Sequence, residues 1–218
     1  MNTQAKPITA PRMAARTAVI LFIFVGTFTA LLSGVYLWTR PSIEAAAAEE
    51  KMKLIDEVLP RSRYDNALLK DFFNLPPTPA LDLDEPSAIY RARRNGKIEA
   101  LVLEAVAPDG YAGKIRLLVA LGADGTVIGV RVIAHRETPG LGDYIEPKKD
   151  RNKDRPWIAQ FNGLNPSAME EREWKVRKDG GRFDSVAGAT VTPRAVVKAV
   201  RKAALYVKEN RERLFASQ

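Results

Sequence analysis

The longest apolar run of the chain lies near its start. Residues 17–39, TAVILFIFVGTFTALLSGVYLWT, contain no charged side chain, and a helix of roughly 20 such residues spans the hydrocarbon core of a bilayer. Tyr36 and Trp38 lie at the end of the run, where aromatic side chains favour the membrane interface. The pattern predicts a transmembrane helix over 17–39, preceded by a polar segment, 1–16.

A cleaved signal peptide is the competing interpretation of this run, because four alanines, Ala45 to Ala48, follow it. The run is longer than the roughly 7–15 apolar residues of a signal peptide, and the alanines lie well beyond its end. We therefore favour a retained anchor. Basic residues precede the run and acidic residues follow it, which predicts a cytoplasmic N-terminus and a C-terminal part on the other side. These residues are Lys6, Arg12 and Arg16 before the run, and Glu44, Glu49 and Glu50 after it.

Residues 40–87 are predicted to connect the anchor to a folded domain. Apolar residues at helical spacing favour a helix over 41–59, and Pro60 ends it. Beyond Pro60, prolines are interspersed with apolar residues, which favours a short helix followed by an extended segment.

Alternating and continuous apolar segments beyond this connection predict two β-hairpins. Asn95-Gly96, a dipeptide typical of two-residue hairpin turns, separates the first pair of strands, and a turn at 123–125 separates the second. The predicted strands are 88–93, 98–106, 114–121 and 127–134. Strands come first and a helix comes last, so we expect an α+β domain with an antiparallel sheet over 88–218.

The segment 184–193, DSVAGATVTP, leads into the terminal helix, where apolar residues recur every three or four positions. Pro193 suits the first helical position, and Thr192 before it is a suitable N-cap. A tight turn at Gly188 would then lie directly before the helix N-terminus. The free N–H groups and the dipole of a helix N-terminus favour a phosphate. On local chemistry alone, a capped helix start without a ligand remains the competing interpretation.

The amino-acid composition excludes several kinds of binding site. The chain has no cysteine and one histidine, His135, which excludes disulfides, thiolate zinc sites, cysteine-ligated iron–sulfur clusters and multi-histidine metal sites. We expect no metal site and no catalytic residues. The net charge of +8 is compatible with nucleic acid or anionic partners, but no nucleic-acid-binding motif is present, so we predict no nucleic-acid partner.

Residues 184–190 resemble the flavinylation motif Asp-x-x-(Ser/Thr)-Gly-Ala-Thr of RnfG, a subunit of the Rnf electron transport complex. NqrC, a related subunit of the sodium-translocating NADH:quinone reductase, shares this motif. In that family the last threonine carries FMN through a phosphoester bond, so the resemblance implies covalent FMN on Thr190. Ala187 stands where the family usually has Ser or Thr, which removes a hydroxyl beside the phosphate. The cofactor-binding residues that the resemblance implies in this motif are Asp184, Ala187, Gly188, Ala189 and Thr190.

Two further segments resemble the same family and occur in its order: 110–113, GYAG, and 135–142, HRETPGLG. On local chemistry the second segment is a plain loop, because it lacks the third glycine and the following helix of a dinucleotide fingerprint. The resemblance implies that Thr138, Gly140 and Leu141 contact the isoalloxazine ring of the flavin.

The resemblance implies an electron-carrying subunit of a membrane-bound, redox-driven ion-translocating complex. Such a protein crosses the bacterial inner membrane once and places its FMN domain in the periplasm. Its implied partners are the other subunits of the complex and a flavin transferase for maturation, and no independent turnover is expected. Two other classes stay open: a stand-alone membrane-anchored flavoprotein reductase, and a non-redox assembly or anchor subunit.

Overall fold

An antiparallel sheet forms the centre of the C-terminal part of the chain, in a computed structural model that describes residues 10–216. The strand order is β1-β2-β3-β4-β5, so each strand pairs with its neighbour in sequence. The strands are β1 (Phe72–Leu75), β2 (Ser87–Arg94), β3 (Lys97–Gly110), β4 (Gly113–Gly122) and β5 (Val127–Ala134). The α-helices are α1 (Ala10–Val58), α2 (Val191–Glu209) and α3 (Arg211–Phe215).

The first helix contains the long apolar run. α1 continues through Pro41, and one 18-residue window of it reaches a mean hydropathy of 2.3. By length and composition, this helix can cross a membrane. The chain divides into two compact units, one up to Glu49 and one from Glu50 onward. Residues 1–9 of the predicted cytoplasmic segment lie outside the described residues.

Both predicted hairpins are confirmed. Asn95 and Gly96 have φ angles of 51° and 76°, the left-handed conformation that a two-residue hairpin turn requires. β1 is a strand that the sequence did not predict: it pairs with β2, with Phe72 opposite Tyr90. Three 3-10 turns, Arg61–Arg63, Leu68–Lys70 and Pro79–Leu81, stand in the segment where a short helix was expected. The second turn does not extend into a helix because the residues of β1 are held extended by their pairing with β2.

Both faces of the sheet are buried. Leu117 and Val119 on β4 belong to the hydrophobic cluster that includes the apolar side of α2. Leu118 and Ala120, which alternate with them, belong to a second cluster on the opposite face. The second cluster also contains residues at and beyond the end of α1, namely Ile55, Val58, Leu59 and Leu68. The sheet is therefore the middle layer of three.

The end of α1 lies against β5 at Gly129. A Cβ added to Gly129 would lie 2.8 Å from Val58 Cα and 2.9 Å from the Val58 carbonyl carbon, and it would also overlap the carbonyl oxygen. Real Cβ atoms do not approach backbone atoms this closely. The missing side chain at Gly129 is what allows the helix end to lie on this face of the sheet.

Short 3-10 turns and an aromatic cluster form the region between β5 and α2. The turns are Asp143–Ile145, Trp157–Phe161, Glu171–Glu173 and Arg177–Asp179. Phe161 lies between two aromatic neighbours, with ring centroids 5.5 Å from Trp157 and 4.8 Å from Phe183. Trp157, Ile158 and Phe161 are all buried. Trp157 also donates from Nε1 to the Asp184 carbonyl oxygen at 2.7 Å, which ties the cluster to the segment before α2.

Candidate functional site

Three loops meet at one end of the sheet: the β3–β4 turn, the loop after β5 and the segment before α2. The register places Arg116 on β4 opposite Ala134 on β5, so the loop that leaves β5 passes beside the β3–β4 turn. A cavity of about 110 Å³ lies between the three loops. Its lining residues are Tyr111, Glu137, Thr138, Leu141, Gly142, Gly188, Ala189, Val191 and Thr192.

A buried carboxylate joins the three loops. Glu137 is only 4% exposed. Its Oε1 accepts a hydrogen bond from the Ala112 backbone N–H at 3.0 Å, and its Oε2 accepts one from the Thr192 hydroxyl. No role was predicted for Glu137 from the sequence, because an acidic side chain in a loop is usually exposed to solvent. The only sequence signal available was its place inside the 135–142 motif.

Gly142 allows this arrangement by its lack of a side chain. A Cβ at Gly142 would lie 2.8 Å from Glu137 Oε2 and 2.9 Å from Thr192 Oγ1. His135 supports the same loop: its Nδ1 accepts from the Glu137 backbone N–H at 3.0 Å, and its Nε2 lies 2.5 Å from Glu146 Oε1. His135 therefore positions the loop, and it is absent from the lining of the cavity.

The start of α2 differs from the prediction. The helix begins at Val191, with Thr190 as its N-cap residue, so Pro193 is the third helical residue rather than the first. The prediction of Thr192 as N-cap was wrong, because its hydroxyl is taken by Glu137. The Thr190 hydroxyl makes no capping hydrogen bond with any residue of the described chain, and the side chain is half-buried.

Hydrogen bonds fix the backbone just before Thr190. Gly188 has a φ of 84°, and the Ala189 N–H donates to the Val186 carbonyl oxygen at 3.0 Å, which closes a tight turn. The buried Tyr144 hydroxyl donates to the Ala189 carbonyl oxygen at 3.4 Å. Burial raises the pKa of Tyr144 to about 12, so this hydroxyl stays a neutral donor at physiological pH.

The structure brings part of the predicted site together. Thr138, Leu141, Gly188 and Ala189 line the cavity. Gly140 lies in the adjoining turn with a φ of 75°. Its backbone N–H donates to Asp143 Oδ1 at 2.8 Å, and a Cβ there would point into open space.

The first half of the 184–190 motif lies apart from the cavity lining. Ala187 is exposed. The Asp184 side chain is exposed as well, 3.0 Å from Arg177 Nε, and it borders a separate cleft of about 540 Å³. Thr190 is the residue between Ala189 and Val191, both of which line the cavity.

The opening of the cavity carries large apolar side chains in contact with solvent. Tyr111 is 67% exposed, Val191 41% and Leu141 39%. Beside them, the first-turn N–H groups of α2 have no intrahelical acceptors and carry the positive end of the helix dipole. The opening of the cavity therefore combines exposed apolar side chains with a helix N-terminus, which favours anions. A Cβ at Gly188 would lie 3.8 Å from Leu141 Cδ1, so the backbone at Gly188 lies close to this apolar side chain. Apolar side chains and helix N–H groups side by side are the kind of surface that an aromatic ring with a phosphate would contact.

Known protein families and individual proteins match nearly the whole chain. Residues 110–205, which include all three loops, match the FMN-binding domain family, and residues 1–58 match the RnfG N-terminal region. The chain is 44% identical over 207 residues to the RnfG subunit of the ion-translocating oxidoreductase complex of Pseudomonas aeruginosa, covering 95% of this chain and 94% of that protein. The chain belongs to the RnfG family.

A second relative also belongs to the RnfG family. The RnfG protein of Pseudoalteromonas atlantica is 40% identical over 206 residues, covering 94% of each chain. Among solved structures, that of Shewanella oneidensis NqrC aligns with a TM-score of 0.42 and 22% identity, over 68% of this chain and 73% of that one.

Proposed function

We propose that Thr190 carries FMN through a phosphoester bond, and that the chain passes electrons within a membrane-bound ion-translocating complex. The observation that carries the proposal is the place of Thr190. It is the N-cap residue of α2, its hydroxyl has no capping bond within residues 10–216, and both its sequence neighbours line the cavity. The RnfG relatives are named as parts of ion-translocating oxidoreductase complexes, which supports the redox and membrane parts of the proposal.

Attachment requires an activated flavin donor. An alcohol and a free phosphate do not condense favourably in water, so we propose as donor an FMN whose phosphate is activated as a phosphoanhydride with a nucleotide. Thr190 Oγ forms the new O–P bond, the anhydride O–P bond breaks, the nucleotide monophosphate leaves, and the hydroxyl proton passes to a base. The acids of the neighbouring loop are bonded elsewhere, Glu137 to Thr192 and Asp143 to Gly140, and within residues 10–216 neither is hydrogen-bonded to the Thr190 hydroxyl. We therefore assign both the base and the donor site to a flavin transferase.

The residues around the cavity divide the binding between them. The free N–H groups at the start of α2 would hold the phosphate, and the helix dipole would add to their attraction. Tyr111, Leu141 and Val191 offer apolar surface to the ring. Bound FMN supplies reversible electron transfer, which the protein chain itself lacks. The role of the chain is to hold, orient and tune the cofactor.

The alternatives differ in partners and flavin content. A stand-alone reductase would carry flavin and turn over a soluble donor without other subunits. An assembly or anchor subunit would carry no flavin, as the missing hydroxyl at Ala187 would allow. No described feature favours either alternative over an electron carrier, and the sequence lacks a dinucleotide fingerprint after a strand.

A purified chain distinguishes these functions. We expect the full-length protein, produced together with a flavin transferase, to have the mass of the chain plus FMN less one water. Dithionite should bleach its flavin spectrum, and NADH alone should leave the spectrum nearly unchanged, because no site for a nicotinamide nucleotide is recognisable. Rapid NADH oxidation by the partner-free chain would favour the reductase, and the mass of the bare chain would favour the assembly subunit.

The proposed location of Thr190 is the periplasm, with the N-terminus in the cytoplasm. This orientation follows from the basic residues before the apolar run and the acidic residues after it. We expect a reporter that is active only in the periplasm to be active when fused after Gln218. The matched fusion of a cytoplasm-only reporter should be silent, and the opposite pair of results would reverse the topology.

A further inference from the structure

Glu137 is a buried acid without a basic partner. Its two carboxylate oxygens accept from neutral donors, the Ala112 N–H and the Thr192 hydroxyl. No Lys or Arg side chain of residues 10–216 forms an ion pair with it.

The carboxylate also lines the cavity. Glu137 shares the lining with Leu141 and Val191, the side chains that we assign to the flavin ring. Asp143, in the same loop, is equally buried at 7% exposure, but it is not a lining residue. Glu137 is therefore the one acid among the described lining residues.

We propose that Glu137 lowers the reduction potential of the bound flavin through its fixed negative charge. The inference rests on the proposed function, since it needs FMN in this cavity. Reduction adds electrons from an external donor to the ring. A neighbouring negative charge in a poorly screened site disfavours that added charge. Removing the charge makes the oxidised flavin easier to reduce.

Glu137→Gln separates this charge from the structural role of the side chain. The amide oxygen of glutamine can accept from the Ala112 N–H, and its NH2 group can donate to Thr192 Oγ. Size and both contacts are kept while the charge is lost. In a spectroelectrochemical titration of the flavin-loaded full chain, we expect the midpoint potential to shift to a more positive value. Unfolding of the flavin-free Thr190→Ala chain should change little when Glu137→Gln is added.

Asp143→Asn is the matched control. It neutralises an equally buried acid of the same loop, and the asparagine oxygen can still accept from the Gly140 N–H. Because Asp143 lies outside the cavity lining, we expect a smaller shift than in Glu137→Gln. An unchanged potential in Glu137→Gln, or an equal shift in Asp143→Asn, would overturn the proposal.

A second pair of variants tests the proposal if Glu137→Gln fails to fold or to load flavin. Val191 is exposed at the opening of the cavity, and an acid is well tolerated in the first turn of a helix. Val191→Glu should lower the potential relative to the neutral Val191→Gln, and equal potentials would overturn the proposal. Failure of the proposed function gives a different result, because the unmodified chain would then show no flavin mass and no flavin spectrum.

Discussion

Thr190→Ala should yield a folded chain that retains no flavin after denaturation. The change removes the only oxygen that can form the proposed bond, so the expected loss of covalent flavin is complete. Stability should change little. An N-cap Thr→Ala substitution usually costs about 0.5–2 kcal/mol, but the Thr190 hydroxyl makes no capping bond within the described chain. Flavin fluorescence of the chain in a denaturing gel measures the first effect, and urea unfolding measures the second.

Thr192→Val is the matched control for this experiment. It removes a second threonine hydroxyl two residues further on, which is bonded to Glu137 and is not the proposed attachment atom. We expect this variant to be less stable than the parent chain, because the buried carboxylate loses a donor, and yet to keep covalent flavin. Persistent in-gel fluorescence in Thr190→Ala would refute the attachment site, as would its loss in Thr192→Val alone.

Gly129→Ala should destabilise the sheet-bearing unit strongly. The added methyl group would overlap the backbone of Val58, and backbone atoms cannot rotate aside as a side chain can. The end of α1 must move off β5, which uncovers the cluster around Ile55 and Leu59. Overpacking of this kind costs about 1–3 kcal/mol, and sometimes more. Urea unfolding of the full chain in detergent, followed by tryptophan fluorescence, measures the loss.

Gly122→Ala provides the control for Gly129→Ala. Gly122 is also a strand glycine, but its nearest neighbour would be Asp124 Oδ1, at 3.1 Å, the end of a side chain that can shift. We expect a cost well below that of Gly129→Ala. Equal costs would mean that the contact between α1 and β5 does not limit stability.

Sequence patterns predicted the elements whose structure depends on neighbouring residues alone. Asn95-Gly96 fixes its hairpin because both residues adopt positive φ readily, and β5 begins and ends at the residues that its apolar run predicted. β1 was missed because its four residues, FFNL, show no alternation and come just before Pro76 and Pro77. Only its pairing with β2 makes it a strand, and pairing is a tertiary property.

The sequence motifs located the candidate site, but they did not predict the hydrogen bonds that hold its loops together. Thr192 and Pro193 form a good N-cap pair on local chemistry, yet the helix begins at Val191 because Thr192 bonds to a carboxylate 55 residues away in sequence. The burial of Glu137 could not be predicted, since its sequence neighbours are polar and charged. Long-range contacts decide such positions, and a single sequence carries little information about them.

The strand order also bears on the sequence of events during folding. Each strand pairs with its neighbour in the chain. The strands can therefore pair one after another, and each pairing closes only a short loop at a small entropic cost. The bonds of Glu137 to Ala112 and Thr192 close loops of 25 and 55 residues. The bond between Glu137 and Thr192 can form only after the residues of α2 have been synthesised and have left the ribosome. We therefore expect nascent chains to hold a formed sheet before they present Thr190 in its final setting, which makes flavin attachment a late step in biogenesis.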